Sequence, residues 1–381
     1  MKKTYLILMA AAALAAAASC NKAAAPAANS AEPVLRPTGT LTVTIGQTSE
    51  TKADLSAMKA SQINSAQIFI FDESDKLETD VFKSFSPVQD GTTSITMNTL
   101  TGNKTVYAVI NHSRMTFAPS STTLAQFEGT LTDLSDMGAS FNTNIVMSGK
   151  NTVNVAEYNS FGAGGSNSNV TVYVKRLVSR IQLDKITVNF SDNSLAGADF
   201  QVLDIYLKNV VGKSYIGVDG LTSAARSSVA PKAFDKYDSD ANWYNKMTPQ
   251  ASGAPDCISD AGINRAAAGV SGEATTLNRV LYAFPNATDA DSRATTWSPR
   301  HTRLVIKAHL TKASISLNED TYYVLDLPAM QANWYYEIQN VTITMKGKPD
   351  DSTDEGLSVG KLVSSIVVDE WENVKQLNYE Y

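Results

Sequence analysis

Reactive side chains are few in this chain, and the most informative of them is Cys20. Lys2 and Lys3 precede an apolar run from Tyr5 to Ala10 and an alanine-rich stretch ending in Ala17-Ala18-Ser19-Cys20. A charged start, a short apolar core and small residues before a cleavage point mark a secretory signal peptide, and the run is too short for a good membrane span. Small residues directly before a cysteine are what bacterial lipoprotein signal peptidase accepts, once the cysteine sulfur carries a diacylglycerol. The pattern predicts lipidation at Cys20, with palmitate among the acyl chains. Residues 1–19 are then the signal peptide, and residues 20–36 an Ala/Pro-rich linker at the start of the mature chain.

The remaining groups do not assemble into chemistry. With Cys20 lipidated, Cys257 is the single thiol left, so no internal disulfide is expected. It stands in the turn-like run Ala254-Pro255-Asp256-Cys257, with no histidine or basic cluster nearby in sequence to lower its pKa, and is read as incidental rather than nucleophilic. His112, His301 and His309 form no ligand pair at metal-binding spacing, so neither metal nor cofactor is expected. The acid pairs Glu319-Asp320 and Asp369-Glu370 could in principle serve glycoside hydrolysis, but adjacent residues of a strand point to opposite faces. The chain lacks a Gly-x-Ser-x-Gly elbow, a phosphate-binding Gly-x-x-x-x-Gly-Lys loop and a His-Glu-x-x-His helix, and no catalytic residue is assigned. Acidic residues outnumber basic ones 38 to 32, a net charge of −6, so no overall positive field gathers phosphates and nucleic acid is not an expected partner.

What positions these residues is a succession of strands. The 381 residues are 43% hydrophobic and 18% charged, enough for packed cores and, by length, for two domains. Leu41, Val43 and Ile45 alternate with threonines, and Val170-Thr171-Val172-Tyr173-Val174 repeats the pattern, which reads as half-buried strands. Val106 to Ile110 and Asn144 to Met147 are continuous apolar runs, expected to be strands buried on both faces. Lys175 to Val188 reads as one long strand or two joined end to end, and Ser191 to Gly197 breaks the pattern. The domain junction is therefore placed there, giving sandwiches over 37–190 and 191–381. Helical signal is confined to Ser121–Glu128 and Asn333–Tyr336. Residues 219–278, rich in Ser, Ala, Gly and Asp around Trp243 and Tyr244, read as an elaborate surface loop region able to carry a binding site. The fold class is all-β, two tandem β-sandwiches with a few short helices and long loops.

Six segments in order along the chain carry a resemblance. They are Thr40-Leu41-Thr42-Val43-Thr44-Ile45, Asn144-Ile145-Val146-Met147-Ser148, Val174 to Ile181, Trp334-Tyr335-Tyr336-Glu337-Ile338, Val341 to Met345, and Ile366-Val367-Val368-Asp369-Glu370-Trp371. With the lipoprotein signal, they resemble the FimA-type major fimbrillins of Bacteroides-like bacteria. The resemblance implies transthyretin-like sandwiches and a structural, adhesive role at the outer membrane and in a surface fimbria. It further implies export as a lipidated precursor, proteolytic removal of the first strand, and donor-strand exchange, in which the C-terminal strand of one subunit fills the groove vacated in the next. Partners would be further copies of the chain, other fimbrial subunits and, through the fimbria, a host protein or glycan. Leu41, Val43 and Ile45 would be the apolar teeth of the removable strand. Ile366, Val368 and Trp371, with Val374 and Leu377 further on, would be those of the donor.

In the family the cleavage site is typically an arginine after the first strand, and Gly46 to Gln62 contains none. Lys52 stands where it would be expected. Lys59 lies further on, and Arg36 precedes the strand and is followed by Pro37, a poor scissile bond. Either a protease accepting lysine acts at Lys52, or the chain remains an unprocessed, membrane-anchored terminal subunit. A monomeric surface lipoprotein that binds glycan or host protein through residues 219–278 is the alternative of a different kind.

Overall fold

Alternation and β-branching build two sandwiches. In a computed structural model of the chain, the residues described are 38–47, 62–88, 93–157, 168–219, 230–232, 240–245, 255–260, 265–267, 274–288, 300–351 and 374–380. The first sandwich comprises β1 (Thr38–Gln47), β2 (Ile63–Phe71), β3 (Leu77–Val88), β4 (Thr93–Leu100), β5 (Gly102–Ile110), β6 (Met147–Val155) and β7 (Ser168–Arg176). They form one hydrogen-bonded path in the order β3-β2-β5-β6-β7-β1-β4. Only Met147 with Arg176 and Ser148 with Lys175 pair across β6 and β7, so the path folds over at that corner. A Cβ at Gly149 would lie 2.1 Å from the Tyr173 carbonyl oxygen, so glycine lets the two strands pass so closely. The two layers enclose Leu41, Val43, Ile45, Ile68, Ile70, Val106, Ala108 and Val172 in one apolar cluster.

β5 is buried on both faces, as its unbroken apolar run predicts. Val106 and Ala108 enter the sandwich, while Tyr107 and Val109 join a second cluster on the outer side. That cluster is covered by α1 (Leu124–Glu128), whose start is set by a capping box: Thr123 Oγ1 accepts from Gln126 N–H, and Gln126 Oε1 accepts from Thr123 N–H. Phe127 projects from this short helix into a ring cluster, its centroid 4.6 Å from that of Phe69 and 5.0 Å from that of Tyr107.

The second sandwich comprises β8 (Ser179–Val188), β9 (Asp199–Lys208), β10 (Ala274–Ala283), β11 (Arg303–Lys312), β12 (Leu317–Asp326), β13 (Tyr335–Ile343) and β14 (Val374–Glu380). One layer runs β10-β8-β13-β14. The other runs β9-β11-β12, with the short pieces Ser259–Asp260 and Arg265–Ala267 on the free side of β9. Ile181, Leu183, Phe200, Val202, Ile306, Tyr323, Tyr336 and Ile338 meet between them.

The structure amends three expectations. Lys175 to Val188 is two strands end to end, but sheet membership changes at Leu177-Val178, ahead of the boundary drawn at residue 190: β8 pairs with β10 and β13 of the second sandwich. Both junction residues are fully buried, so no polar turn signals the change. Asn333–Tyr336 is not helical. Asn333 adopts a left-handed φ of 62°, its N–H donates to the Val178 carbonyl, and β13 begins at Tyr335. Residues 219–278 are not wholly surface loop, because Trp243, Cys257 and Ile258 are buried in the second core and two pieces of the segment extend the β9 layer.

Burial raises the phenol pKa of Tyr206, Tyr282, Tyr323, Tyr335 and Tyr336, all on strands of the second sandwich. The folded state thus favours the neutral phenols. That stability is fully present below the ordinary tyrosine range near pH ~10 and is lost as pH rises through the higher folded values. The part of the tyrosinate absorbance due to these buried phenols is expected to appear in a cooperative high-pH step together with loss of the β-sheet circular dichroism. Full ionisation of the chain's fifteen tyrosines with the dichroism intact would contradict this.

Candidate assembly interface

β1 lies inside the first sandwich. It runs antiparallel to β4, with Val43 opposite Ile95, and parallel to β7, with Val43 opposite Val170. Leu41, Val43 and Ile45 are each 0% exposed, whereas Thr40, Thr42 and Thr44 face outward and are partly exposed. Thr42 and Thr96 hydroxyls share a hydrogen bond of 3.1 Å on that outer face. A Cβ at Gly46 would fall 2.8 Å from the Tyr173 ring, which closes over the strand there. The three apolar teeth named from the alternation are brought together in one core.

Beside them the structure gathers residues that sequence reading did not single out. Glu78 of β3 accepts hydrogen bonds from Leu100 N–H at 2.6 Å and Thr99 Oγ1 at 2.5 Å, both on β4. Its other oxygen pairs with Lys104 Nζ of β5 at 2.6 Å. These partners lie 21 to 26 residues away in sequence, and an acid on an alternating strand carries no signal of such burial.

At the other end of the chain, β14 pairs in parallel with β13, from Tyr335 opposite Val374 to Thr342 opposite Glu380, and forms the edge of its layer. Val374 and Leu377, placed in the donor segment by sequence reading, lie on this intramolecular strand. Asp351, the last described residue before β14, accepts from Tyr206 Oη at 2.5 Å and pairs with buried Lys208 at 2.9 Å. Ile366, Val368 and Trp371 lie outside the described residues, as do Cys20, Arg36, Lys52, Lys59 and the Asp369-Glu370 pair.

The remaining candidates are held in structural contacts. Burial pushes the Cys257 thiol up to about 12, which keeps it protonated and unreactive at neutral pH. His309 hydrogen-bonds Asp320 at 2.8 Å and Asn318 at 2.9 Å, and His301 lies 3.2 Å from the Leu327 carbonyl oxygen. His309 and Lys307 together hold the Asp320 carboxyl below its usual range, while Glu319 pairs with Lys346. Among the described residues, no three His, Cys, Asp or Glu side chains converge as metal ligands.

Comparison with known proteins agrees with this architecture. The profile of the family described as major fimbrial subunit protein (FimA) matches residues 39–177. A comparison with curated proteins finds no match. A candidate cell adhesion protein of Parabacteroides distasonis ATCC 8503 superposes with a TM-score of 0.56 at 15% identity, over 91% of this chain and 99% of that one. A candidate cell adhesion protein of Bacteroides eggerthii DSM 20697 gives 0.52 at 18% identity, over 85% and 93%. The fimbrilin (fimA) of Porphyromonas gingivalis W83 gives 0.51 at 15% identity, over 89% and 97%. At such identities the superpositions speak for the fold. The matched segment is similar to major fimbrial subunit proteins, and the fold is shared with a fimbrilin and with candidate cell adhesion proteins. The resemblance to the FimA-type major fimbrillins thus holds over residues 39–177.

Proposed function

We propose that the chain is exported as a lipoprotein through Cys20, loses β1 by cleavage after Lys52, and polymerises by donor-strand exchange into an adhesive fimbria at the outer membrane. Lys59 and Arg36 are the lesser candidates for cleavage. The segment carrying Ile366, Val368 and Trp371 enters the groove that a neighbour's β1 has left.

The burial of β1 is the observation that carries this reading. Its three teeth are fully enclosed, yet it is the first strand of the sandwich and is joined to the rest only through residues 48–61. Cutting that connection leaves β1 held by non-covalent contacts alone. An empty β1 position would expose both the ladders of β4 and β7 and the apolar floor beneath, and an incoming strand satisfies both at once. At ~25 cal/mol per Å² of apolar area, a handful of such side chains contributes about 5–10 kcal/mol before ordering costs.

The absence of arginine from Gly46 to Gln62 favours one second reading, a terminal subunit that keeps its lipid and its β1. N-terminal sequencing of protein extracted from filaments separates the two. Ala53 is expected at the mature start, and an N-terminus still at Cys20 would overturn processing and leave the anchor reading.

A further inference from the structure

We propose that Glu78 is a clasp that keeps β4 in place while β1 is absent, and so keeps the groove open to an incoming strand. The inference rests on the donor-strand reading above. β4 ends the hydrogen-bonded path, and among the described residues its ladder is to β1 alone. Loss of β1 therefore removes every ladder bond of β4 at once. A wall so freed can twist or slip by one residue, and a one-residue slip would turn Ile95 and Met97 from the core to solvent.

Glu78 joins β4 to the part of the sandwich that does not depend on β1. It stands on β3, which keeps its ladder to β2, and it pairs with Lys104 of β5, which keeps its ladders to β2 and β6. Its carboxylate collects the backbone N–H of Leu100, the hydroxyl of Thr99 and the ammonium of Lys104. The side chains of Lys104 and Glu78 are 1% and 13% exposed, so these bonds are charge-assisted and shielded from water. In the intact fold Thr99 and Leu100 stand opposite Gly39 and Thr38 of β1, which puts the clasp at one end of the groove. Covalent continuity into β5 at Gly102, with φ of 109°, holds the same end close but does not fix its register. A bound backbone N–H does.

The test uses the full chain with a protease site engineered between residues 48 and 61, cut after folding so that β1 stays held non-covalently. The nicked protein is challenged with excess fluorescent peptide of the sequence Thr38–Gln47, and hydrogen exchange of the β4 amides is followed. Wild-type nicked protein is expected to capture the peptide with β4 still protected. Nicked Glu78→Gln is expected to capture it at least about tenfold more weakly and to lose β4 protection, whereas uncut Glu78→Gln, with β1 tethered, keeps that protection. Thr99→Val removes one bond without unpairing Lys104, and should move in the same direction by less if Glu78→Gln proves too unstable to handle. Capture at the wild-type level by both variants would overturn the clasp, as would equal loss of β4 protection in cut and uncut Glu78→Gln. Wild-type protein that captures peptide but never polymerises would sink the donor-strand reading and leave the clasp standing. Normal polymer with unaltered peptide capture by Glu78→Gln would do the reverse.

Discussion

Val43→Asp is expected to abolish the stable first sandwich. Val43 is fully buried between Ile95 and Val170 in a cluster lined by aliphatic side chains, with Leu41 and Ile45 on either side. An aspartate there has no partner, and burying it uncompensated costs several kcal/mol in addition to the lost valine contacts. Against a typical domain stability of about 5–15 kcal/mol, that is enough to leave the variant marginal or unfolded. Leu41→Ala, which removes only apolar contacts, should cost about 2–5 kcal/mol and leave a folded protein whose urea midpoint can be measured. Thr42→Asp is the control. Thr42 is part-exposed on the outer face and its hydroxyl bonds that of Thr96, so its replacement should change stability by less than about 1 kcal/mol. Equal losses at positions 42 and 43 would show that β1 does not present one face to the core. If the ordering holds, the side chains that make β1 indispensable are those that the proposed donor strand would have to match.

The alternation at Leu41, Val43 and Ile45 was legible because period two on a half-buried strand leaves a direct trace in residue type. The run from Val106 to Ile110 likewise announced burial on both faces, though not what covers the outer one. Its cover combines Phe127 of α1, only five residues long, with Met115, Ile216 and Val218 from separate parts of the chain. The second core hid for a related reason. Trp243, Cys257 and Ile258 are isolated apolar anchors within a segment of small and polar residues, and a windowed reading averages them away. At Asn333 the aromatic run Trp334-Tyr335-Tyr336 looked helical, while a left-handed residue in fact swings the chain into β13. Buried charge was the least legible feature of all. Arg303, 1% exposed, is paired with Asp326 across a strand pair, and Lys208 with Asp351 far along the chain, so neither can be recognised before the fold exists. The same holds for Glu78, which is why the buried teeth of β1 could be read from the sequence and the bonds that hold the wall beside it could not.

Ile366→Asp and Val368→Asp are expected to yield folded, secreted monomer and almost no polymer. The two residues recur at period two, so in an extended strand they project to the same side, and the donor reading puts that side in a neighbour's groove. Each substitution would bury an unpaired carboxylate at every junction, at several kcal/mol each, and every 1.4 kcal/mol is about tenfold in the equilibrium. The subunit itself should be spared. Its second sandwich already has the β13–β14 ladder within the chain, and the path to the tail is fixed at Asp351 by Tyr206 and Lys208, none of which the substitutions touch. Val367→Asp points the other way and should be milder. On size-resolved blots the wild type should give a ladder of heat-resistant polymer. The variants at 366 and 368 should collapse to monomer with unchanged circular dichroism, and the variant at 367 should retain much of the ladder. Equal polymer from all three would exclude the 366–371 segment as the donor. The search would then move to β14, an edge strand whose far side is unpaired among the described residues, and deletion of Val374–Glu380 would become the decisive variant.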